Sequence, residues 1–231
     1  MVLVAFKSIF PSPFGYVNFG EANRELNTQL VEDIHSYRAE DEGAFRTFRK
    51  NDCAWQTNSD METRYESFEQ LRKLIDDVSK PIIEHSGIAK EYLPYCKVEN
   101  LWANWIFDAG GFAKPHFHGS GRTLWSGVYY PKGLEEIDNL DEFEEEEYIR
   151  LGFEEGEGLL VCFDPAKVTK GLVKVMDNGE FYGQDITIMP RESLLVLFPV
   201  WLSHMVSPLT KKENRYSISF ALNYHHPSFS V

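Results

Sequence analysis

The chain has 231 residues, 43% of them hydrophobic and 14% aromatic, and a formal net charge of -13. That length and apolar content suit a packed core, whereas the negative balance, opposed by no basic cluster longer than Lys211-Lys212, disfavours nucleic acid as a partner. Cys53, Cys96 and Cys162 have no CxxC spacing, which argues against a disulfide framework or a thiolate zinc site and suits a reducing, cytoplasmic setting. No apolar run approaches a membrane span, and the opening MVLVAFKSIFPSPFGY lacks the basic leader and continuous apolar core of a signal peptide.

In chain order, VLVAFKSIF near the start reads as a first strand, and Leu26, Leu30, Val31, Ile34 and Tyr37 then recur at helical spacing through residues 22–38. Residues 40–66 are polar and without a clean period. Ser67 with Gln70 reads as a capping box ahead of a helix carrying Leu71, Leu74, Ile75, Val78 and Ile82, with Pro81 near its end and Gly87 placed to stop it. The apolar stripes of these two helices need a surface to cover.

From residue 98 the period becomes that of strands. Runs rich in Val, Ile, Trp, Tyr and Phe predict strands near 99–107, 114–119, 124–130, 159–163, 172–176, 181–188, 193–198, 202–206 and 215–224. Asp177-Asn178-Gly179 reads as a hairpin turn between two of them. Many short strands without intervening helices indicate a jelly roll or related double-sheet barrel. The expected fold is therefore mainly β with N-terminal helices (α+β). It is one domain over 1–231, helical in 1–97 and β in 98–224, with the helices covering one sheet face. The acidic stretch LEEIDNLDEFEEEEYIRLGFEEGEG, residues 134–158, reads as a solvated loop or an exposed helix face.

Within HFHGSGRTLWSGVYYP, residues 116–131, strand alternation puts His116 and His118 on one face with Phe117 opposite. Two imidazoles so placed can chelate a divalent ion, but a site needs a further ligand. His204 lies on a later predicted strand, after FPVWLS, and Arg215 opens the last strand with Ser217 beyond it. Taken singly, His204 reads as a hydrogen-bonded core histidine and Arg215 as a surface residue. His225 and His226 read as solvent-exposed residues of the C-terminal tail.

Together, the WxN block at Trp102 to Asn104, the HxH followed by WSGVYY, FPxWLxH ending at His204 and RxSISF from Arg215 resemble the iron(II)- and 2-oxoglutarate-dependent oxygenases. The resemblance is strongest to a microbial and phage branch with HxH at this position; CAWQT at 53–57 fits the same branch. It implies a double-stranded β-helix (jelly roll), Fe(II) as the metal, 2-oxoglutarate as cosubstrate and O2 as co-reactant. It also implies dioxygenase chemistry of the hydroxylase type, with 2-oxoglutarate decarboxylated to succinate as a substrate is oxidised. His116 then matches the first metal ligand and His204 the distal one, and Arg215 with Ser217 matches the pair that holds the outer carboxylate of 2-oxoglutarate. Tyr130 is a further donor to that carboxylate, and Asn104 a group that orients the iron-bound end. His118 departs from the family pattern, standing where a carboxylate ligand is usual; Asp108 is the nearest acidic residue that could replace it. Trp102, Trp125 and Trp201 are candidates to wall the pocket.

Two other classes stay open on these residues: a cupin-type three-histidine metal enzyme and a non-catalytic jelly-roll binding module. The substrate, whether small molecule, peptide or protein, is not set by any motif.

Overall fold

The computed structural model describes residues 13–40, 53–118, 121–134, 149–151, 158–165 and 185–227. The elements run β1 (Gly15–Asn18), a 3-10 turn (Gly20–Asn23), α1 (Arg24–Glu40), β2 (Ala54–Gln56), α2 (Met61–Arg64), α3 (Glu66–His85) and a second 3-10 segment (Lys90–Tyr95). The strands β3 (Cys96–Ile106), β4 (Ala113–His116), β5 (Thr123–Tyr129), β6 (Ile149–Leu151), β7 (Leu160–Cys162), β8 (Ile186–Ile188), β9 (Leu194–Pro199), β10 (His204–Val206) and β11 (Arg215–Tyr224) follow. They form a six-stranded sheet in the order β1-β9-β5-β11-β3-β2 and a five-stranded sheet in the order β4-β10-β7-β8-β6. Every pairing is antiparallel. This is the expected jelly-roll class.

Strand alternation explains the layering. Along β9, Leu195 and Leu197 pack with the helices, in a core that includes Leu30, Ile34, Phe68, Leu71 and Ile75. Their neighbours Leu194, Val196 and Phe198 instead meet Leu160, Cys162 and Ile188 of the second sheet. The same switch separates Tyr129, on the helix side, from Val128 and Tyr130, on the inter-sheet side. The large sheet is thus covered on both faces, which is why LLVLFP is buried at every position. Each such aliphatic or aromatic side chain contributes roughly 1.5–3 kcal/mol relative to exposure. Gly127 of β5 is required by close approach: a Cβ there would overlap the Phe220 ring and the Val196 carbonyl oxygen.

The helical stripes fall as expected, with Leu30, Ile34 and Tyr37 of α1 and Leu71 and Ile75 of α3 buried. Gly87, at φ 106°, follows the end of α3, and Pro81 stands within that helix. The capping box does not form. Tyr65 is the N-cap of α3, and Ser67, already helical, donates from Oγ to Asp33 Oδ2 at 2.5 Å, tying α3 to α1.

Two further expectations are corrected. The acidic stretch contains strand β6, which pairs with β8, where loop or helix was expected. His225 and His226 are not free tail residues: His225 Nε2 lies 3.0 Å from Glu99 Oε2, and His226 packs on Tyr95 and Tyr224. The predicted first strand, the strand at 172–176 and the Asp177-Asn178-Gly179 turn lie outside the described residues.

Candidate functional site

β10 pairs with β4, and in that register His204 stands directly opposite His116. A histidine that looks solitary in sequence is therefore the cross-strand neighbour of the HxH motif. β4 ends at His116, so His118 comes from the segment beyond it while Phe117 turns outward, 66% exposed. One ring nitrogen from each of the three histidines lies within 4.8 Å of the others, and among the described residues no carboxylate joins them. Asp108 accepts a hydrogen bond from the Ala109 N–H in the turn after β3 instead.

The hydrogen bonds fix which nitrogens are available. His116 Nδ1 lies 2.7 Å from the Lys114 carbonyl oxygen and His204 Nδ1 2.9 Å from that of Leu202. A carbonyl only accepts, so both Nδ1 atoms carry the proton and both Nε2 atoms present lone pairs. His118 Nε2 is 3.1 Å from His204 Nε2. Two nitrogens about 2.1 Å from one ion at ligand angles of 90–110° are roughly 3.0–3.4 Å apart, so this pair fits a shared divalent metal.

Burial keeps the imidazoles neutral, as ligands must be. Desolvation, followed by the repulsion of His116, holds His204 down at about 3, and the same two causes hold His118 at about 4. His116 is lowered as well, again by desolvation first.

On the facing sheet, Arg215 is only 2% exposed. Its Nε donates to the Gly158 carbonyl at 2.6 Å, Nη1 to Ser217 Oγ at 3.1 Å and Nη2 to Tyr130 Oη at 3.5 Å. Every one of these acceptors is neutral, and among the described residues no carboxylate forms an ion pair with Arg215. Burying a cation without a counter-charge costs several kcal/mol; desolvation accordingly lowers the guanidinium pKa and pushes the Tyr130 phenol up to about 12. Such an arrangement has the chemistry to receive an anion.

A cavity of about 380 Å³ joins the two halves, with the three histidines on one side and Tyr130, Arg215 and Ser217 on the other. Asn104 also lines it, donating from Nδ2 to Ser219 Oγ at 3.1 Å. Trp102 lies against His118, ring centroids 5.3 Å apart. Trp125 does not reach the cavity, being part of the helix-side core, and Trp201 is an exposed residue outside the lining.

Two features of the site, the cavity-lining Gln56 and the Arg215 partner Gly158, were missed in the sequence. Gln56 sits beside Asn104 in the β2–β3 register, and Asn104 beside Ser217 in the β3–β11 register, so a polar row crosses three strands. The alternation in CAWQT carried that signal: Trp55 packs into the helix-side core, so Gln56 takes the other face. Its buried Oε1 has no hydrogen-bond partner among the described residues. Gly158, whose carbonyl holds Arg215, had no sequence signal, since any residue has a carbonyl.

A family model described as "Putative 2OG-Fe(II) oxygenase" matches residues 100–221, more than half of the chain. No curated protein matches. Among solved structures, a Pseudomonas putida prolyl-4-hydroxylase is similar at 15% identity and TM-score 0.57, over 93% of this chain and 94% of its own. A Trichoplax adhaerens prolyl hydroxylase, solved with a hypoxia inducible factor peptide fragment, gives 13% and 0.57 over 92% and 84%. SnoN, a non-heme alpha ketoglutarate dependent epimerase from nogalamycin biosynthesis, gives 10% and 0.60 over 95% and 81%. At these identities the likeness is one of fold.

Proposed function

The chain belongs to the 2-oxoglutarate- and Fe(II)-dependent oxygenase family, and from that premise we propose that His116, His118 and His204 hold the ferrous ion while Arg215, Ser217 and Tyr130 hold the outer carboxylate of 2-oxoglutarate. The observation that carries this assignment is a buried arginine with no counter-charge among the described residues, facing a three-histidine cluster across one cavity. A planar guanidinium can receive a carboxylate on two N–H bonds, and the neutral imidazoles offer nitrogen ligands suited to iron. The ligand set departs from the family pattern, because His118, standing where a carboxylate is usual, supplies no negative charge.

Iron and 2-oxoglutarate, when bound, supply the activation of O2 and the two electrons released as 2-oxoglutarate loses CO2 and becomes succinate. The residues of the chain bind, orient and exclude water. Asn104 and Gln56 line the cavity with neutral polar groups, and Trp102 and Phe117 offer aromatic surface beside the histidines. No Asp, Glu or Lys is among the described lining residues, which suits an uncharged portion of substrate, and Gln56 Oε1 can accept from a donor on it, an amide N–H or a hydroxyl. Oxidation is of the hydroxylase type, on a peptide or a small molecule. A reducing cytoplasmic setting, suited to three unpaired cysteines, is part of the same reading.

The test is spectroscopic. Anaerobic Fe(II) protein should develop a visible charge-transfer band on addition of 2-oxoglutarate, and His204→Ala should abolish it. Absence of any response in the wild-type protein would refute the assignment and favour a cupin-type or purely structural site.

A further inference from the structure

We propose that the backbone carbonyl of Gly158 is the group that aims Arg215 into the cavity, so that this glycine governs selectivity for 2-keto acids bearing a second carboxylate; the inference rests on the site assignment above. A guanidinium is planar, and fixing the Nε–H direction fixes the plane and the outward edge formed by Nη1 and Nη2. Gly158 O takes the Nε proton at 2.6 Å, shorter than either contact on the other edge. The outer edge is left with Ser217 and Tyr130, both cavity-lining hydroxyls that can share a ligand carboxylate.

Two features favour glycine at this position. Gly158 has φ 63°, in the left-handed region, and a Cβ would stand 2.9 Å from Leu209 Cδ2 and 3.0 Å from Arg215 Cδ. An alanine would therefore press on the very side chain that the carbonyl orients. The carbonyl is itself held in place. Leu159 N–H donates to Ser207 Oγ at 2.9 Å, Ser207 N–H to the Leu159 carbonyl at 2.9 Å and Gly158 N–H to the Pro208 carbonyl at 3.4 Å. The last glycine of EEGEG, at the end of the acidic stretch, thus becomes a positioning residue for the opposite sheet.

The experiment compares binding of 2-oxoglutarate and 2-oxobutyrate to the full-length manganese-loaded protein by calorimetry. 2-Oxobutyrate keeps the metal-chelating end and lacks the distal carboxylate. Gly158→Ala should raise the Kd of 2-oxoglutarate about tenfold or more and that of 2-oxobutyrate by less than about twofold. Ser207→Ala loosens the anchor without adding a Cβ, and should raise the 2-oxoglutarate Kd about threefold with the same selectivity. In an Arg215→Lys background, which has no Nε–H, Gly158→Ala should add less than about twofold. Parallel weakening of both ligands, or an unchanged ratio in Ser207→Ala, overturns the proposal even if Gly158→Ala fails to fold. Failure of wild-type protein to bind 2-oxoglutarate overturns the site assignment itself.

Discussion

Replacing Arg215 with methionine should make the ligand-free protein more stable and, at once, nearly blind to 2-oxoglutarate. Arg215 is 2% exposed, and its described partners are the Gly158 carbonyl and the hydroxyls of Ser217 and Tyr130. Desolvating the cation costs several kcal/mol, and three bonds to neutral acceptors return only part of that. Methionine removes both the cost and the bonds, stranding chiefly the Gly158 carbonyl at about 1–3 kcal/mol; the two hydroxyls can rotate to other partners. The net expectation is a gain of about 1–2 kcal/mol, or a Tm higher by roughly 2–8 °C for a chain of this size. Ligand binding moves the other way. Loss of a buried charge-assisted pair costs about 3–5 kcal/mol, on the order of 10²–10⁴ in Kd. Thermal unfolding of manganese-loaded protein reads both effects. Wild type at a hundredfold excess over Kd gains about 2.7 kcal/mol from 2-oxoglutarate, roughly 5–10 °C, and the variant should gain almost nothing. A variant less stable than wild type without ligand, or one retaining the ligand-induced rise, would refute the view of Arg215 as a buried cation awaiting an anion.

The metal-free protein should weaken in mild acid. His204 is held at about 3 in the folded chain against about 6.5 unfolded, so the unfolded state takes its proton first, and stability present above pH 6.5 is lost as pH falls toward 3. Between pH 7 and pH 5 the loss from His204 is about 2 kcal/mol, with His118 acting in the same direction; urea unfolding at the two pH values should show it, and a flat profile would contradict neutral burial. Gly127→Ala should destabilise by about 1–3 kcal/mol, because the added methyl overlaps the Val196 carbonyl oxygen, which cannot retreat without breaking the β5–β9 ladder; an unchanged urea midpoint would count against the close packing of that pair.

What could be read ahead of the structure followed from periodicity. The unbroken apolar run LLVLFP, the alternation in YSISF, and the helical stripes of α1 and α3 are imposed by burial on one or both faces, and burial shapes sequence directly. The capping box failed because Ser67 had a better partner in Asp33 on another helix, a contact that no local pattern encodes. The triad was legible only in outline. HxH marks one strand, but that His204 lies opposite His116 depends on the register between strands 88 residues apart. Gln56 was hidden in a segment without a clean period, and the carbonyl of Gly158 is invisible to any reading of side chains.

β4 lies at the margin of the five-stranded sheet, paired among the described residues with β10 alone, and its Lys114 and Pro115 are exposed. Lysine and proline at such a margin discourage pairing with a second chain. The same margin carries His116, so one proposed ligand hangs on a strand tied down along a single side, while His204 sits between β4 and β7 with neighbours on both. On the proposed assignment, an ion held by His116 and His204 would tie this edge strand to its neighbour β10 through side chains as well as through the backbone ladder.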